Sequence, residues 1–254
     1  MSQPISQRYA GRAALVTGGG SGIGAACSLR LAAEGAAVAV LDIDTAGGAK
    51  IVQEIRDRGG RAIAIRTDVA DFDSVQQAVG RAHQEFGRLD VAINNAGMGG
   101  AFHSIVDIPL QQWTSTIAIN LTGVFHCLRA ELPVMAAQGG GAIVNMASIM
   151  GTVAAANVGA YVASKHGVVG LTKVAAIEFG AKQVRVNAIG PTFVRTPLTN
   201  TVDEAGWAAL TAMHALGRMP TVEDVALLAA FLGSDDARSI TGSLHLLDAG
   251  YTAV

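Results

Sequence analysis

Tyr161-Val162-Ala163-Ser164-Lys165 sets a phenol and an ammonium four positions apart. On a helix this spacing puts both groups on one face, one turn apart. A free phenol titrates near ~10, too high for a base at neutral pH, and a cation beside it favours the phenolate. The pair therefore suits proton exchange with an oxygen, Tyr161 acting as acid or base and Lys165 tuning it. Ser148 follows the apolar run Ala142–Met146, thirteen positions before Tyr161. A hydroxyl there could hold a carbonyl oxygen as charge develops on it, though a turn or capping serine reads the same way. His166 adjoins Lys165, but one residue along a helix points about 100° away, so it is assigned to packing or solvent.

A second cluster lies near the N-terminus. Thr17-Gly18-Gly19-Gly20-Ser21-Gly22-Ile23-Gly24 follows an apolar run and opens a helical pattern. Glycines let the backbone turn sharply and approach a ligand, and the helix start offers free N–H groups and a positive dipole end to phosphate. Strand, turn and helix in that order are the context a dinucleotide-binding turn requires. Asp42 ends the next apolar run, 24 positions after Gly18. A carboxylate there can accept from the adenosine ribose 2′-OH and would repel a 2′-phosphate, which predicts NAD over NADP. Helix capping is the competing role for Asp42, with Asp44 as a rival for it.

These residues need a scaffold. Ala13–Thr17, Ala37–Asp42, Ala62–Thr67, Val91–Asn94, Ala142–Met146, Val184–Ile189 and Leu244–Leu247 read as short strands, apolar on both faces as parallel strands between helices are. Helical patterns over Gly22–Glu34, Thr45–Arg58, Ser74–Phe86, Pro109–Ala137, Ala160–Phe179 and Glu223–Leu232 alternate with them, several stopping at glycine. Such alternation predicts an α/β fold, a single-domain doubly wound parallel sheet of about seven strands, Rossmann-like, with helices on both faces. Pro191–Pro220 lacks a clear period and reads as a lid.

Composition closes off other classes. Among 254 residues, half are apolar, 15% are charged and the net charge is −2, which offers nucleic acid or an anionic membrane no general attraction. Cys27 and Cys127 stand alone among apolar neighbours, and the scattered histidines show no zinc spacing, so no metal is expected. The stretch from Leu132 to Ser164 carries no charge, but Pro133, Gly139–Gly141, Asn145 and Asn157 interrupt it, so it reads as soluble core rather than a membrane span. The polar segment Met1–Tyr9 shows no signal-peptide pattern, and a cytoplasmic location is the expectation.

Taken together, the motifs resemble those of the short-chain dehydrogenase/reductase family in its form of about 250 residues, from Arg12 to Gly250. Thr17-Gly18-x-x-x-Gly22-x-Gly24 is similar to the family's cofactor turn, Asp68-Val69 to its adenine-contacting position and Asn94-Asn95-Ala96-Gly97 to its element alongside the cofactor. Asn120, Ser148, Tyr161 and Lys165 match its catalytic tetrad. The resemblance implies NAD contacts at Gly18, Ser21, Gly22, Ile23, Gly24 and Asp42, at Asp68, Val69, Asn95, Ala96 and Gly97, at Tyr161 and Lys165, and at Pro191, Thr192, Val194 and Thr196. It implies that Lys165 lowers the Tyr161 pKa and binds the nicotinamide ribose, and that the Asn120 main chain holds a water leading from Lys165 to solvent. Two departures stand out: Thr192 where the family shows glycine, and Asp248-Ala249-Gly250 for its Asp-Gly-Gly. The first puts backbone freedom beside the nicotinamide in question.

By the same resemblance, Ser148, Met150, Tyr161 and Phe193 contact the substrate, in a pocket that Met98, Ile149, Val153, Ala154, Asn157, Leu198, Trp207 and Met213 complete. Apart from Arg195 no cation accompanies this apolar set, which suits a secondary alcohol or ketone with hydrocarbon substituents. Core packing is the other reading of Trp207 and Met213. A 3-oxoacyl-carrier-protein reductase using NADPH and a non-catalytic dinucleotide-binding sensor are the alternatives. Homotetramers are the family's common assembly, and the long helix and apolar C-terminus are compatible with one.

Overall fold

The computed structural model describes residues 7–100 and 102–253. Its centre is a seven-stranded sheet: β1 (Ala13–Thr17), β2 (Ala37–Asp42), β3 (Ala62–Arg66), β4 (Val91–Asn94), β5 (Gly141–Met146), β6 (Val184–Pro191) and β7 (Leu244–Leu247). All pairs are parallel, in the order β3-β2-β1-β4-β5-β6-β7. The doubly wound sheet expected from the alternation is present. Helices α1 (Gly22–Ala33), α2 (Thr45–Asp57), α3 (Phe72–Phe86), α4 (Leu110–Ile117), α5 (Gly123–Ala137), α6 (Gly159–Phe179), α7 (Glu204–Ala212) and α8 (Val222–Gly233) connect and cover it.

Strand side chains alternate between two cores. Ala14, Val16, Val38, Val40, Val91 and Ile93 pack with α1, α2 and α8, whereas Leu15, Ala39, Leu41, Ala92 and Ile143 pack with α3, α5 and α6. Period-two alternation with both faces apolar is what doubly covered strands require. Cys27 and Cys127 are buried, one in each core, and desolvation pushes the Cys27 thiol up to about 12.

Several element ends shift by one residue from the sequence reading, and three elements differ by more. Helix α3 starts two residues early, because Asp71 accepts from the Asp73 N–H at 3.0 Å and so makes itself the cap. Strand β6 runs on to Pro191, drawn by pairing with Leu247 of β7. The expected long helix Pro109–Ala137 is divided by a π turn, Ala118–Thr122, centred on Asn120. The lid segment is not featureless. It contains a 3-10 turn, Pro197–Thr199, and α7, whose start Asp203 caps by accepting from the Gly206 N–H at 2.7 Å. Among the described residues, no helix is long and apolar enough to cross a membrane, and no group of three or more His, Cys, Asp or Glu is placed to hold a metal.

Candidate active site

The sheet order reverses between β1 and β4, so the connections leaving their carboxyl ends diverge and open a crevice. The glycine turn lies there, stitched to the β4 end. Thr17 Oγ1 accepts from the Asn95 and Ala96 N–H groups at 3.0 and 3.1 Å, and Asn95 Nδ2 donates to the carbonyls of Thr17 and Gly18, both at 3.1 Å. Gly18 has φ +60°, and a Cβ on it would lie 2.9 Å from Ala96 Cα, so both conformation and space exclude a side chain. Gly24 serves packing instead. A Cβ there would meet the Gly18 carbonyl oxygen at 2.0 Å, so this residue seats the helix on the turn and does not line the crevice. Ser21 begins α1 without a side-chain capping bond, which leaves first-turn N–H groups for an outside acceptor.

The crevice, about 290 Å³, is lined by Gly18, Ser21, Gly22 and Ile23 of the turn, Asp42, Asp68 and Val69 of the neighbouring strand ends, Asn95–Gly97, and Thr196 of the lid. Eleven of the residues assigned to the cofactor from sequence therefore meet in one place. Ile43, Thr67, Ile119 and Pro197 join them unforeseen, each next in sequence to a residue that was foreseen. Met98 and Leu198, expected around the substrate, line this crevice instead. The roles of the two aspartates separate. Asp44 caps α2, accepting from the Ala46 N–H at 3.0 Å. Asp42 faces the turn: its Oδ2 accepts from the Gly20 N–H at 2.8 Å and its Oδ1 from the Asp44 N–H at 2.9 Å. Each oxygen keeps a lone pair for a ribose hydroxyl. A phosphate cradle, a carboxylate beyond it and a walled crevice between β1 and β4 fit a dinucleotide.

The crevice runs into the tetrad. A Cβ on Gly97 would lie 3.3 Å from Asn120 Oδ1 and 3.9 Å from Lys165 Nζ, and one on Gly100 would lie 3.3 Å from Tyr161 Cβ. Tyr161 and Lys165 occupy the first two turns of α6, with Lys165 Nζ 5.5 Å from the phenol ring centroid. Nζ donates to the Met146 carbonyl at 2.8 Å, which ties α6 to the end of β5. Ser148 Oγ accepts from the Met150 N–H at 3.2 Å, so the capping role is real, and the hydroxyl hydrogen remains free to donate. Asn120 Oδ1 accepts from the Met98 N–H at 2.8 Å while Nδ2 donates to the Met98 carbonyl at 2.9 Å. Both ends of its side chain thus bond Met98, and Nδ2 also donates to Ser164 Oγ at 3.4 Å, contacts that accompany the π turn. His166 is exposed, as its helical offset implied.

Electrostatics correct one expectation. Burial pushes Lys165 down to about 8, so its ammonium persists at neutral pH but is easily lost. Tyr161 is raised, because desolvation outweighs the lowering pull of a hydrogen bond with Ser148. The expected depression of the phenol by Lys165 is not what the protein's own groups produce: the ammonium is held by the Met146 carbonyl in a desolvated setting.

On the substrate side, Met150 is buried and Phe193 is half-buried, its ring edge-on to Tyr251 with centroids 6.0 Å apart. Trp207 is buried under the Arg195 guanidinium, 4.7 Å from its ring, which makes it lid packing, and Met213 is exposed. Arg195 forms a bidentate pair with Glu204 at 2.6 and 2.9 Å. Thr192 does not require positive φ, so its β-branched side chain costs the backbone nothing there. Its Oγ1 lies 3.1 Å from Nε2 of buried His214, and its N–H donates to the Leu247 carbonyl at 3.2 Å. Pro191 and buried Val194 flank this junction and do not line the crevice. His214 and Tyr251, 5.3 Å apart by centroid, carried no sequence signal as neighbours of Thr192.

A family model described as Enoyl-(Acyl carrier protein) reductase matches residues 18–252. The chain belongs to the short-chain dehydrogenase/reductase family. Within it, this chain is 41% identical over 253 residues to cyclohexanol dehydrogenase of Acinetobacter sp. (strain SE19), with 100% of both chains covered. It is 42% identical over 250 residues to cis-4-hydroxycyclohexanecarboxylate dehydrogenase of Sinomonas cyclohexanicum, covering 98% of this chain and 100% of that one. The crystal structure of carveol dehydrogenase from Mycobacterium avium in complex with NAD superposes with TM-score 0.94 at 32% identity, covering 97% of this chain and 99% of that one.

Proposed function

We propose that this short-chain dehydrogenase/reductase interconverts an uncharged alicyclic secondary alcohol and its ketone with NAD(H). Class and chemistry follow from family membership and from relatives named as dehydrogenases of ring alcohols. The observation that carries the mechanism is the grouping of buried Ser148 and Lys165 with the Tyr161 phenol at the end of the dinucleotide crevice. When bound, the dinucleotide supplies the hydride acceptor or donor and, when oxidised, a positive charge that favours the phenolate. Tyr161 takes the proton from the alcohol oxygen in oxidation and returns it in reduction. Ser148, with one lone pair taken by the Met150 N–H, donates its hydroxyl hydrogen to that same oxygen. Lys165 keeps positive charge beneath the phenol and reaches toward the ribose, and the Asn120 main chain marks the route by which its proton reaches solvent.

Two contacts narrow the substrate and cofactor. Arg195 is already clasped by Glu204, so its guanidinium is not free for a substrate carboxylate. Asp42, turned to the crevice with both oxygens fixed, favours a free 2′-OH over a phosphate. It also counts against an NADPH-linked acyl-carrier reductase. A groove of about 710 Å³ lined by Arg12, Arg58, Arg61 and Arg88 lies at the amino edge of the sheet, away from the tetrad, and each of these four is paired with a carboxylate. The test is steady-state kinetics on cyclohexanol, its ring-substituted analogues and linear secondary alcohols, with NAD and with NADP. Ring alcohols with NAD should give the highest kcat/KM, and NADP at parity would remove the Asp42 argument.

A further inference from the structure

Behind the tetrad runs a belt of buried polar side chains that the reaction does not use. Glu131 of α5, Asn94 of β4, Asn145 of β5 and Thr172 of α6 are each exposed by 1% or less. Asn94 Nδ2 donates to Glu131 Oε2 and to Asn145 Oδ1, both at 3.0 Å, and Asn145 Nδ2 donates to Thr172 Oγ1 at 3.0 Å. The belt therefore cross-links the elements that deliver the site. Helix α5 continues the π turn of Asn120, β4 leads into Asn95–Gly97, β5 leads into Ser148, and α6 carries Tyr161 and Lys165.

One hydrogen is missing from this belt. Asn94 Oδ1 and Glu131 Oε1 are buried without any partner, although their sister atoms are bonded to each other. Turning the Asn94 amide over does not help, because its oxygen would then face both Glu131 Oε2 and Asn145 Oδ1, acceptor against acceptor. A proton on Glu131 Oε1 satisfies both orphans at once, its O–H donating to Asn94 Oδ1 while Asn94 Nδ2 donates to Oε2. We propose that Glu131 carries a proton in the folded protein at neutral pH and that this proton closes an acid–amide pair with Asn94, which makes Glu131 a positioning residue for the Asn95–Gly97 segment.

The surroundings agree. Among the described residues no lysine or arginine pairs with Glu131, and a buried carboxylate lacking a cation is costly. Burial pushes its carboxyl up to about 7 against the lowering pull of Asn94. On its own helix, Cys127 one turn earlier is itself raised by burial and by Glu131, His126 Nδ1 lies 2.9 Å from the Val69 carbonyl, and Arg129 stacks over Phe72. Strands β4 and β5 and helix α6 bring Asn94, Asn145 and Thr172 to the belt, none of which titrates.

The isosteric change E131Q separates the possibilities, because its amide can accept from Asn94 Nδ2 and donate to Oδ1. Unfolded by urea in unbuffered solution near pH ~6, wild type should release about one proton more than E131Q, since Glu131 ionises on exposure. Equal release would show that Glu131 is already ionised and overturn the proposal, as would failure of E131Q to fold. A folded-state pKa above the unfolded value means stability is lost as pH rises, so the Tm of E131Q should gain on wild type between about pH 5 and about pH 8. Positioning is read from NADH affinity by fluorescence titration between about pH 6 and about pH 9. Lys165 titrates in both proteins and cancels in their ratio. Wild type should weaken relative to E131Q by roughly three- to tenfold, the loss expected of one buried hydrogen bond. A flat ratio would end the positioning role.

Discussion

At Tyr161 two requirements collide: a base needs a low pKa, and an enclosed pocket raises it. Burial wins among the protein's own groups, with Ser148 pulling the other way. In the mechanism proposed above, ionisation of the phenol would be favoured by the positive charge of an oxidised dinucleotide. Tyr161→Phe removes the exchangeable proton and little volume, so kcat should fall by ~10²–10⁴-fold in steady-state assays. NADH affinity, read by fluorescence titration, should stay near wild type. Lys165 makes the opposite trade. Its folded pKa of about 8 lies below the ordinary lysine value, so the folded state gives up a proton more readily than the unfolded chain. Its burial thus costs stability below about pH 8, and the cost is relieved as pH climbs toward the unfolded pKa. Lys165→Met should accordingly lose activity yet melt above wild type at neutral pH, by roughly 1–3 kcal/mol, with the gap closing in alkaline buffer when followed by calorimetry.

Among the elements, connections and interruptions decided more than the regular pieces did. The strands and most helix ends were legible because apolar runs and glycine stops are local signals. The π turn at Asn120 was not, since the contact that accompanies it is with Met98, 22 positions away in the chain. The clasp of Thr192 on His214 is likewise a meeting of two segments with no common period. The C-terminal departure from Asp-Gly-Gly has a measurable consequence. Ala249 adopts φ +50°, the left-handed region that glycine enters freely, and its carbonyl accepts from the Leu216 N–H at 3.1 Å at the base of the lid. Ala249→Gly should therefore stabilise the protein by about 0.5–1 kcal/mol, visible as a Tm rise of about 1–3 °C.

For the whole molecule, the apolar side chains left exposed bear on assembly. Trp113 of α4, Phe125 of α5 and Val174 and Ile177 of α6 are 41–83% exposed on helices that pack on the same face of the sheet. We propose that this face is covered by another copy of the chain in a homotetramer. Light scattering should give a four-chain mass, and Ile177→Glu should lower it without changing the circular dichroism spectrum.

The sequence by itself determined the order of strands and helices and the glycine turn, because each is written in neighbouring residues or in a recurring period, whereas Asn120, Ser148, Tyr161 and Lys165 were singled out as a set by their resemblance to the family's motif. Tertiary structure alone decided which face of Asp42 meets the turn, that Arg195 is spent on Glu204, that Met98 and Leu198 line the dinucleotide crevice, and that Glu131 Oε1 and Asn94 Oδ1 are buried without a partner. The physical reason is distance along the chain: propensity and spacing act over a few residues, whereas burial, pKa and hydrogen-bond partnership are fixed by segments that meet only once the sheet has closed.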